Sequence, residues 1–586
     1  MCSIIGYAGN KVAAPILVKG LRRMEYRGYD SVGLATISEK RILVRKGVGK
    51  VDDVNKEFLL EKMKGSAGIG HTRWATHGGV TDKNAHPHQN CKNDVAIVHN
   101  GIIENFNELK KSLIVKGHKF KSETDSEVIA HMLGEFLSRN GDIKKAMKSV
   151  TNRLKGAYAF VAIFGDGILA GVRFDEPLIL GITKDGYYVS SDVLGFIEHT
   201  DQAIFLDNHE IVIIDREHLE IDGVNISQVK KRITQIAWEL TDADKGKFSH
   251  HTLKEINEQK HTIVKAFSLQ KSDLQGFVKA LTSSRKVLIT GSGSSYHAAM
   301  IAKHLFSKFC DLQCETILSS EFQYDSSLIT KGSVLMAISQ SGETADLLQA
   351  VKIAKGSKAK VLSLVNVVTS SLARASDHFL GINCGPEIGV AATKSFTAQL
   401  SLIYRIASEL SSPDLPINIK EIPKTVSDTL NNVKNVVKIA DQIKHIGNVY
   451  VLGRGLHFPI ALEAALKLKE LVYVHAEGIP AGELKHGPLA LMDENTTVVM
   501  LNPEDETYKD TLSNVHEIKA RGAVVVGVSN INNNKYDVWI KIPKAKELMY
   551  PILEVIPLQL LAYHTAVKRE SNPDYPRNLA KSVTVK

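Results

Sequence analysis

The chain has 586 residues, enough for about three or four domains, and 44% of them are apolar, enough to bury real cores. No apolar run is long enough to span a membrane, and the N-terminus MCSIIGYAGN lacks the charged and apolar regions of a secretory signal. The net charge of +9 is spread along the chain without a long basic block, so it suits anionic substrates and does not call for nucleic acid.

Five scattered cysteines, Cys2, Cys91, Cys310, Cys314 and Cys384, fit a reducing, cytoplasmic setting. Cys310 and Cys314, four apart, are read as lying on one helix with a buried structural role.

Residues 2–220 alternate short β-like runs with Gly and Asn/Asp turns, and form the first expected domain, α+β with packed sheets. Strands are predicted at Ser3–Tyr7, Val95–Val98, Ala159–Phe164, Ile168–Val172, Tyr187–Ser190 and Ile211–Ile214. Helical patterns fall at Ala13–Arg23 and Ser126–Phe136. Residues 221–274 are polar and read as a connector.

From residue 275 strands and helices alternate, which predicts a doubly wound parallel sheet. Lys286–Thr290 is a strand, Gly291–Ser295 a turn and Tyr296–Phe309 a helix. Val334–Ile338 is the next strand, and Ser339-Gln340-Ser341-Gly342-Glu343-Thr344 turns the chain into a helix. Three hydroxyls and an amide at a helix start suit a phosphate dianion, because unpaired N–H groups and partial positive charge meet there. The turn has no Lys and no P-loop spacing, so it reads as a sugar-phosphate site. This copy is taken to end at 414, in the proline-broken stretch of Pro413, Pro416 and Pro423.

The pattern repeats over 440–576, with strand Val449–Leu452, turn Gly453–Gly455, helix Pro459–Glu470 and strands Val498–Leu501 and Ala523–Val528. Where the first copy has its hydroxyl turn, the second has Asn502-Pro503-Glu504-Asp505. An acidic turn repels phosphate, so one phosphate site per chain is expected. Both G-x-G turns lack the third glycine of a dinucleotide site.

Cys2 directly follows Met1, and methionine removal would free its α-amine to serve as base for the thiol. The segments Glu25–Ser31, His71–Gly78, His99–Gly101 and Ser122–Asp125, taken with Cys2, resemble the class II glutamine amidotransferases, whose domain is an N-terminal-nucleophile hydrolase. The resemblance implies Cys2 as nucleophile, Asn100 and Gly101 as oxyanion hole, Arg73 as clamp on the glutamine carboxylate and Asp125 as anchor of its amino group. Trp74, Thr76 and His77 join the glutamine pocket on the same ground, with Trp74 as gate of an internal ammonia passage. Read from the residues alone, Arg73 and Asp125 could be a structural ion pair and Asn100-Gly101 a hairpin turn. His86 and His88 have metal-ligand spacing, but neither a metal nor a cofactor is expected. Ser3 stands where the family usually has Gly.

The whole chain is similar to the amidotransferase family that joins such a domain to two sugar-isomerase (SIS) copies. Its marks here are Ser339–Thr344, Glu387–Ala391, Ala464–Glu470, Gly482–Pro488 and Arg577–Val585. The resemblance implies transfer of the amide nitrogen of glutamine to fructose 6-phosphate, followed by isomerisation. It implies that Ser294, Ser295, Ser339, Gln340, Ser341 and Thr344 hold the sugar phosphate, with Val390 and Ala391 contacting the sugar through backbone. Glu470 matches the base between carbons 1 and 2, and His486 the ring-opening residue, supplied across a homodimer interface. Lys581, in the tail 577–586, matches the Schiff-base lysine. Without the resemblance these three read as a solvated helix charge, a loop histidine and a solvated tail lysine. Ala392 stands where Ser is common.

Overall fold

The computed structural model describes residues 2–224, 226–236, 244–411, 415, 417, 421–431 and 434–584. Met1, Pro413, Pro416 and Val585, which entered the sequence reading, lie outside these residues. The chain forms two compact bodies, one of residues 1–241 with 580–586 and one of residues 242–579.

The first body is built on two antiparallel sheets, of eight and six strands among the described residues. In the larger, Ser3–Gly9 lies between Gly186–Ser190 and Ala67–Arg73. In the smaller, Val95–Gly101 pairs with Tyr158–Phe164, which pairs with Leu169–Phe174. Ile4, Ala35 and Ile69 of one sheet meet Val98, Ala159 and Val161 of the other in a shared core. The helix Ala13–Met24 buries Leu17 and Leu21 over the larger sheet, where Gly68 and Gly70 make room for them. The helix Glu127–Asn140 covers the smaller sheet. The result is a sandwich of sheets between helices.

The strand Leu219–Ile221, which reaches the start of the expected connector, and Thr234–Gln235 within it add to these two sheets. Further along, the helix His251–Phe267 is part of the second body's core through Ile256, Ile263 and Ala266. Its polar sequence hid this, because Thr252, Glu255 and Gln259 are buried by hydrogen bonding and not by hydrophobicity.

The second body holds two five-stranded parallel sheets of one design. In the first the order is Cys314–Leu318, Val287–Gly291, Val334–Ser339, Lys360–Val365, His378–Gly381. In the second it is His475–Pro480, Asn448–Gly453, Thr497–Leu501, Val524–Ser529, Val538–Lys541. In chain order both run 2-1-3-4-5, so the direction of winding reverses between strands 1 and 3, where ligands bind in open α/β sheets. One hydrophobic cluster runs through both copies, and the buried helix Tyr550–Lys568 contributes to it.

Cys310 and Cys314 do not share a helix. Cys310 caps the helix Ser294–Phe309 and Cys314 opens the edge strand. Pro423 does not break structure either: it occupies the first turn of the helix Ile422–Asn431, where a missing N–H costs nothing. Among the described residues no helix is long and apolar enough to cross a membrane.

Candidate active site

In the first body, Cys2 stands at the start of the central strand and Trp74 just past the end of its antiparallel neighbour Ala67–Arg73. The Trp74 N–H donates to Cys2 Sγ at 3.2 Å. Burial pushes the Cys2 thiol up, while that N–H and the Arg73 charge pull it down. Asn100 Nδ2 donates to the Cys2 carbonyl at 3.1 Å, which sets a side-chain amide beside the sulfur. His71 Nε2 lies 3.2 Å from Asn100 Oδ1 and fixes that amide's orientation. His71 is neutral, its pKa pulled down by burial to about 3.

Asn100 and Gly101 end the strand Val95–Gly101, each paired across to Ala159 and Tyr158, so they are not a hairpin turn. Gly101 has φ of +103°, and a Cβ there would stand 2.1 Å from the Ala157 carbonyl oxygen. Arg73 and Asp125 are both buried and, among the described residues, do not pair with each other. The Arg73 guanidinium donates to the carbonyls of His77, Gly78 and Gly79 at 2.5, 3.0 and 3.1 Å, curling residues 74–79 around it. Asp125 accepts the Ile103 N–H at 2.7 Å. Thr76 is exposed and His77 half-buried on the same curl. Ser3 is fully buried and donates to the Met24 carbonyl at 2.9 Å, so its Cβ is accommodated beside Cys2. His86 and His88 have partners without a metal: His86 Nδ1 accepts the His99 N–H at 3.2 Å, and His88 Nε2 lies 3.1 Å from Thr124 Oγ1.

In the second body, the turn 339–344 sits at the reversal point of the first sheet, following strand 3, and the Ser294 helix opens beside it after strand 1. Ser339 Oγ accepts the Gly342 N–H at 2.9 Å and Ser341 Oγ the Glu343 N–H at 3.2 Å. Gly342 has φ of +67° and presses on Ser370, where a Cβ would meet Oγ at 2.0 Å. Ser294 Oγ donates to Glu463 Oε1 at 2.9 Å, and Gln399 donates to Ser295 Oγ at 3.0 Å.

Glu463, Lys467 and Glu470 share one face of the helix His457–Val472 at helical spacing. Lys467 is fully buried, its Nζ 2.5 Å from Glu470 Oε2 and 3.4 Å from Glu463 Oε1. Burial opposes its charge, but the two carboxylates outweigh burial and keep it protonated. His297 Nδ1 joins Glu463 Oε2 at 2.7 Å. Glu470 is therefore one end of a buried charge network, while Lys469 beside it is the exposed residue.

The second copy uses the corresponding place differently. His457 is fully buried, with Nε2 2.7 Å from Asp505 and Nδ1 2.9 Å from Glu554. Burial opposes its charge, yet the two carboxylates push its pKa up to about 10. The acidic turn is thus occupied by an imidazolium of its own chain.

Residues 71–196 match the glutamine amidotransferase domain family, and residues 280–408 and 442–569 each match the SIS domain family. The chain is 44% identical, over the full length of both, to the glutamine–fructose-6-phosphate aminotransferase (isomerizing) of Pyrococcus horikoshii. It is 43% identical, again over both full lengths, to the enzyme of that name from Aquifex aeolicus. This chain belongs to the glutamine–fructose-6-phosphate aminotransferase family. Among solved structures it resembles the C-terminal domain of glucosamine-fructose-6-phosphate aminotransferase from Francisella tularensis, at 32% identity and a TM-score of 0.52, covering 56% of this chain and 99% of that one.

Not every residue read from this aminotransferase family is gathered into these two clusters. Val390 donates its N–H to the Asp574 carbonyl at 3.2 Å, and Ala391 beside it is buried. His486 is exposed, at the end of the short helix Ala481–His486. Lys581 is half-buried and groups with the first body. The tail before it is anchored in the second body, where Asp574 accepts from the N–H groups of His251 and Thr252. Glu463 and His297 are not marked by the sequence, and Lys467, which reads there as a solvated charge beside Glu470, is buried. The i, i+4 spacing of Glu463 and Lys467 was the available signal, but on an exposed helix it would mean only a surface pair.

Proposed function

We propose that this chain runs two reactions in sequence, with Cys2 and the 339–344 turn as their centres. It transfers the amide nitrogen of L-glutamine to fructose 6-phosphate and isomerises the product, giving glucosamine 6-phosphate and L-glutamate.

In the first reaction Cys2 attacks the glutamine amide carbon, and Asn100 Nδ2 with the Gly101 N–H stabilises the oxyanion. Collapse of the tetrahedral species releases ammonia and leaves a glutamyl thioester, which water hydrolyses. Arg73 binds the glutamine carboxylate and Asp125 its ammonium, with Trp74, Thr76 and His77 closing the pocket. The observation that carries this reading is the seat of Cys2: its sulfur faces the Trp74 N–H, and the Asn100 amide stands on its own carbonyl.

In the second reaction the hydroxyls of Ser339, Ser341 and Thr344, the Gln340 amide and Ser294 and Ser295 at the start of their helix hold the phosphate. Val390 and Ala391 contact the sugar. Glu470 moves the proton between carbons 1 and 2, with the Lys467 ammonium held against its carboxylate. Lys581 forms the Schiff base that activates carbon 2. The exposure of His486 suits a ring-opening group supplied to the site of a second copy in a homodimer.

Incubation of the chain with amide-labelled glutamine and fructose 6-phosphate tests the reading. The label is expected at the amino nitrogen of the sugar product. Label released only as free ammonia, with the sugar unaminated, would overturn it.

A further inference from the structure

Three side chains in the first body converge outside the reactions above. Cys91 follows the short strand His88–Gln89, and His118 lies between the helices Phe106–Val115 and Glu127–Asn140. His131 projects from the second of these helices. Cys91 Sγ is 3.6 Å from His131 Nδ1, and the Nδ1 atoms of His118 and His131 are 3.1 Å apart. All three atoms lie within 4.8 Å of one another. Zinc bonds of about 2.3 Å to sulfur and about 2.0–2.1 Å to nitrogen, at tetrahedral angles, separate neighbouring ligand atoms by roughly 3.3–3.6 Å. The Cys91–His131 edge has that size, and the His118–His131 edge is a few tenths of an ångström shorter.

The surroundings are built as a metal's outer ring is built. His131 is 1% exposed, and its other nitrogen, Nε2, reaches Glu127 Oε1 at 3.4 Å. Glu127 is itself fixed: Oε1 accepts the Lys121 N–H at 2.8 Å, and Oε2 accepts the Ser122 N–H and hydroxyl, each at 2.6 Å. A carboxylate on the far nitrogen of an imidazole orients the ring and strengthens its near nitrogen as a ligand. The Lys119 N–H donates to Cys91 Sγ at 3.3 Å, which stabilises a thiolate. Phe120 packs on the His131 ring at 4.4 Å between centroids. Cys91 is exposed and His118 half-buried, so the fourth position opens to solvent.

We infer that Cys91 Sγ, His118 Nδ1 and His131 Nδ1 bind a zinc-type divalent transition-metal ion, with water as fourth ligand. One thiolate and two imidazoles suit zinc and exclude the hard cations magnesium and calcium, which take oxygen ligands. Binding releases the Cys91 thiol proton to solvent and leaves the metal–thiolate unit with one positive charge. The ion joins the turn after His88–Gln89, the segment before Glu127 and the helix Glu127–Asn140. It thereby restrains residues 118–127, the stretch that carries Asp125.

The test is a titration of the full chain, stripped with a chelator, with cobalt(II) as a coloured stand-in for zinc. The expected result is one equivalent per chain, with ligand-field absorption of a tetrahedral site and a thiolate-to-cobalt charge-transfer band, both removed by added zinc. Cys91→Ser, at an exposed position that leaves the fold intact, abolishes the charge-transfer band. Glu127→Gln weakens zinc binding by about 10–100-fold without removing the band. Failure to bind cobalt, or a charge-transfer band that survives Cys91→Ser, overturns the site.

Discussion

Gly101 has a neighbour so close that any side chain would strike it: the Ala157 carbonyl oxygen stands 2.1 Å from where a Cβ would be. Its φ of +103° adds strain for any other residue. Gly101→Ala is therefore expected to destabilise the first body by about 1–3 kcal/mol, read by denaturant unfolding of that body. Because the same strand end carries Asn100, hydrolysis of glutamine should fall further than stability does. Cys2→Ala acts without strain. It should abolish glutamine hydrolysis and leave the isomerisation of sugar phosphate in place, measured by separate assays; persistent hydrolysis would remove Cys2 from the mechanism.

At the scale of elements, the turn 339–344 combines two functions in the same atoms. Ser339 and Ser341 accept backbone N–H groups that shape the turn, and their O–H groups are the donors proposed for phosphate. Replacing both with Ala removes two charge-assisted bonds of about 1.5–3 kcal/mol each, roughly tenfold or more in affinity apiece. The expected outcome is a large rise in the dissociation constant for fructose 6-phosphate, by calorimetry, with glutamine hydrolysis kept. Unchanged sugar affinity would place the phosphate elsewhere.

This turn was legible because strand, hydroxyls and helix are contiguous in sequence, and the duplicated sheets because each apolar run is buried on both faces. The strand Ala67–Arg73 was not, since Gly68 and Gly70 interrupt its pattern to admit Leu17 and Leu21. The helix Tyr550–Lys568 went unread because it is apolar on all sides and carries Pro551 and Pro557, so it shows neither a periodic stripe nor an unbroken helix pattern. The Cys91, His118 and His131 group comes from three elements, so no spacing announces it. Lys467 needed a helix on the sheet before its burial could be known.

For the whole molecule, separate centres at Cys2 and at the 339–344 turn predict separable chemistry. Lys581→Ala should lose sugar conversion and keep glutamine hydrolysis. Borohydride in the presence of fructose 6-phosphate should add the sugar's mass to the C-terminal peptide; labelling of Lys467, Lys469 or Lys485 would move the Schiff base into the second SIS copy. The second body should also show an alkaline weakness. His457 holds its proton more tightly folded, with a pKa of about 10, than unfolded, near 6.5. Its stabilising effect is complete below about pH 6.5 and is lost as the pH rises through about 10. Thermal unfolding of the second body should record that decline, and His457→Gln should flatten it.

The His457 triad also sets the evolutionary prospects of the duplicated sheet. Changing Asp505 to a serine leaves a buried imidazolium with one carboxylate, and changing His457 alone leaves two buried carboxylates facing each other. Breaking such a group one residue at a time costs about 3–5 kcal/mol at each step. A path to a phosphate-binding turn therefore crosses intermediates less stable than either end. Once a second copy has filled its own turn with an internal charge, drift can vary its loops but cannot readily open a pocket there, and the asymmetry between the twins becomes a ratchet.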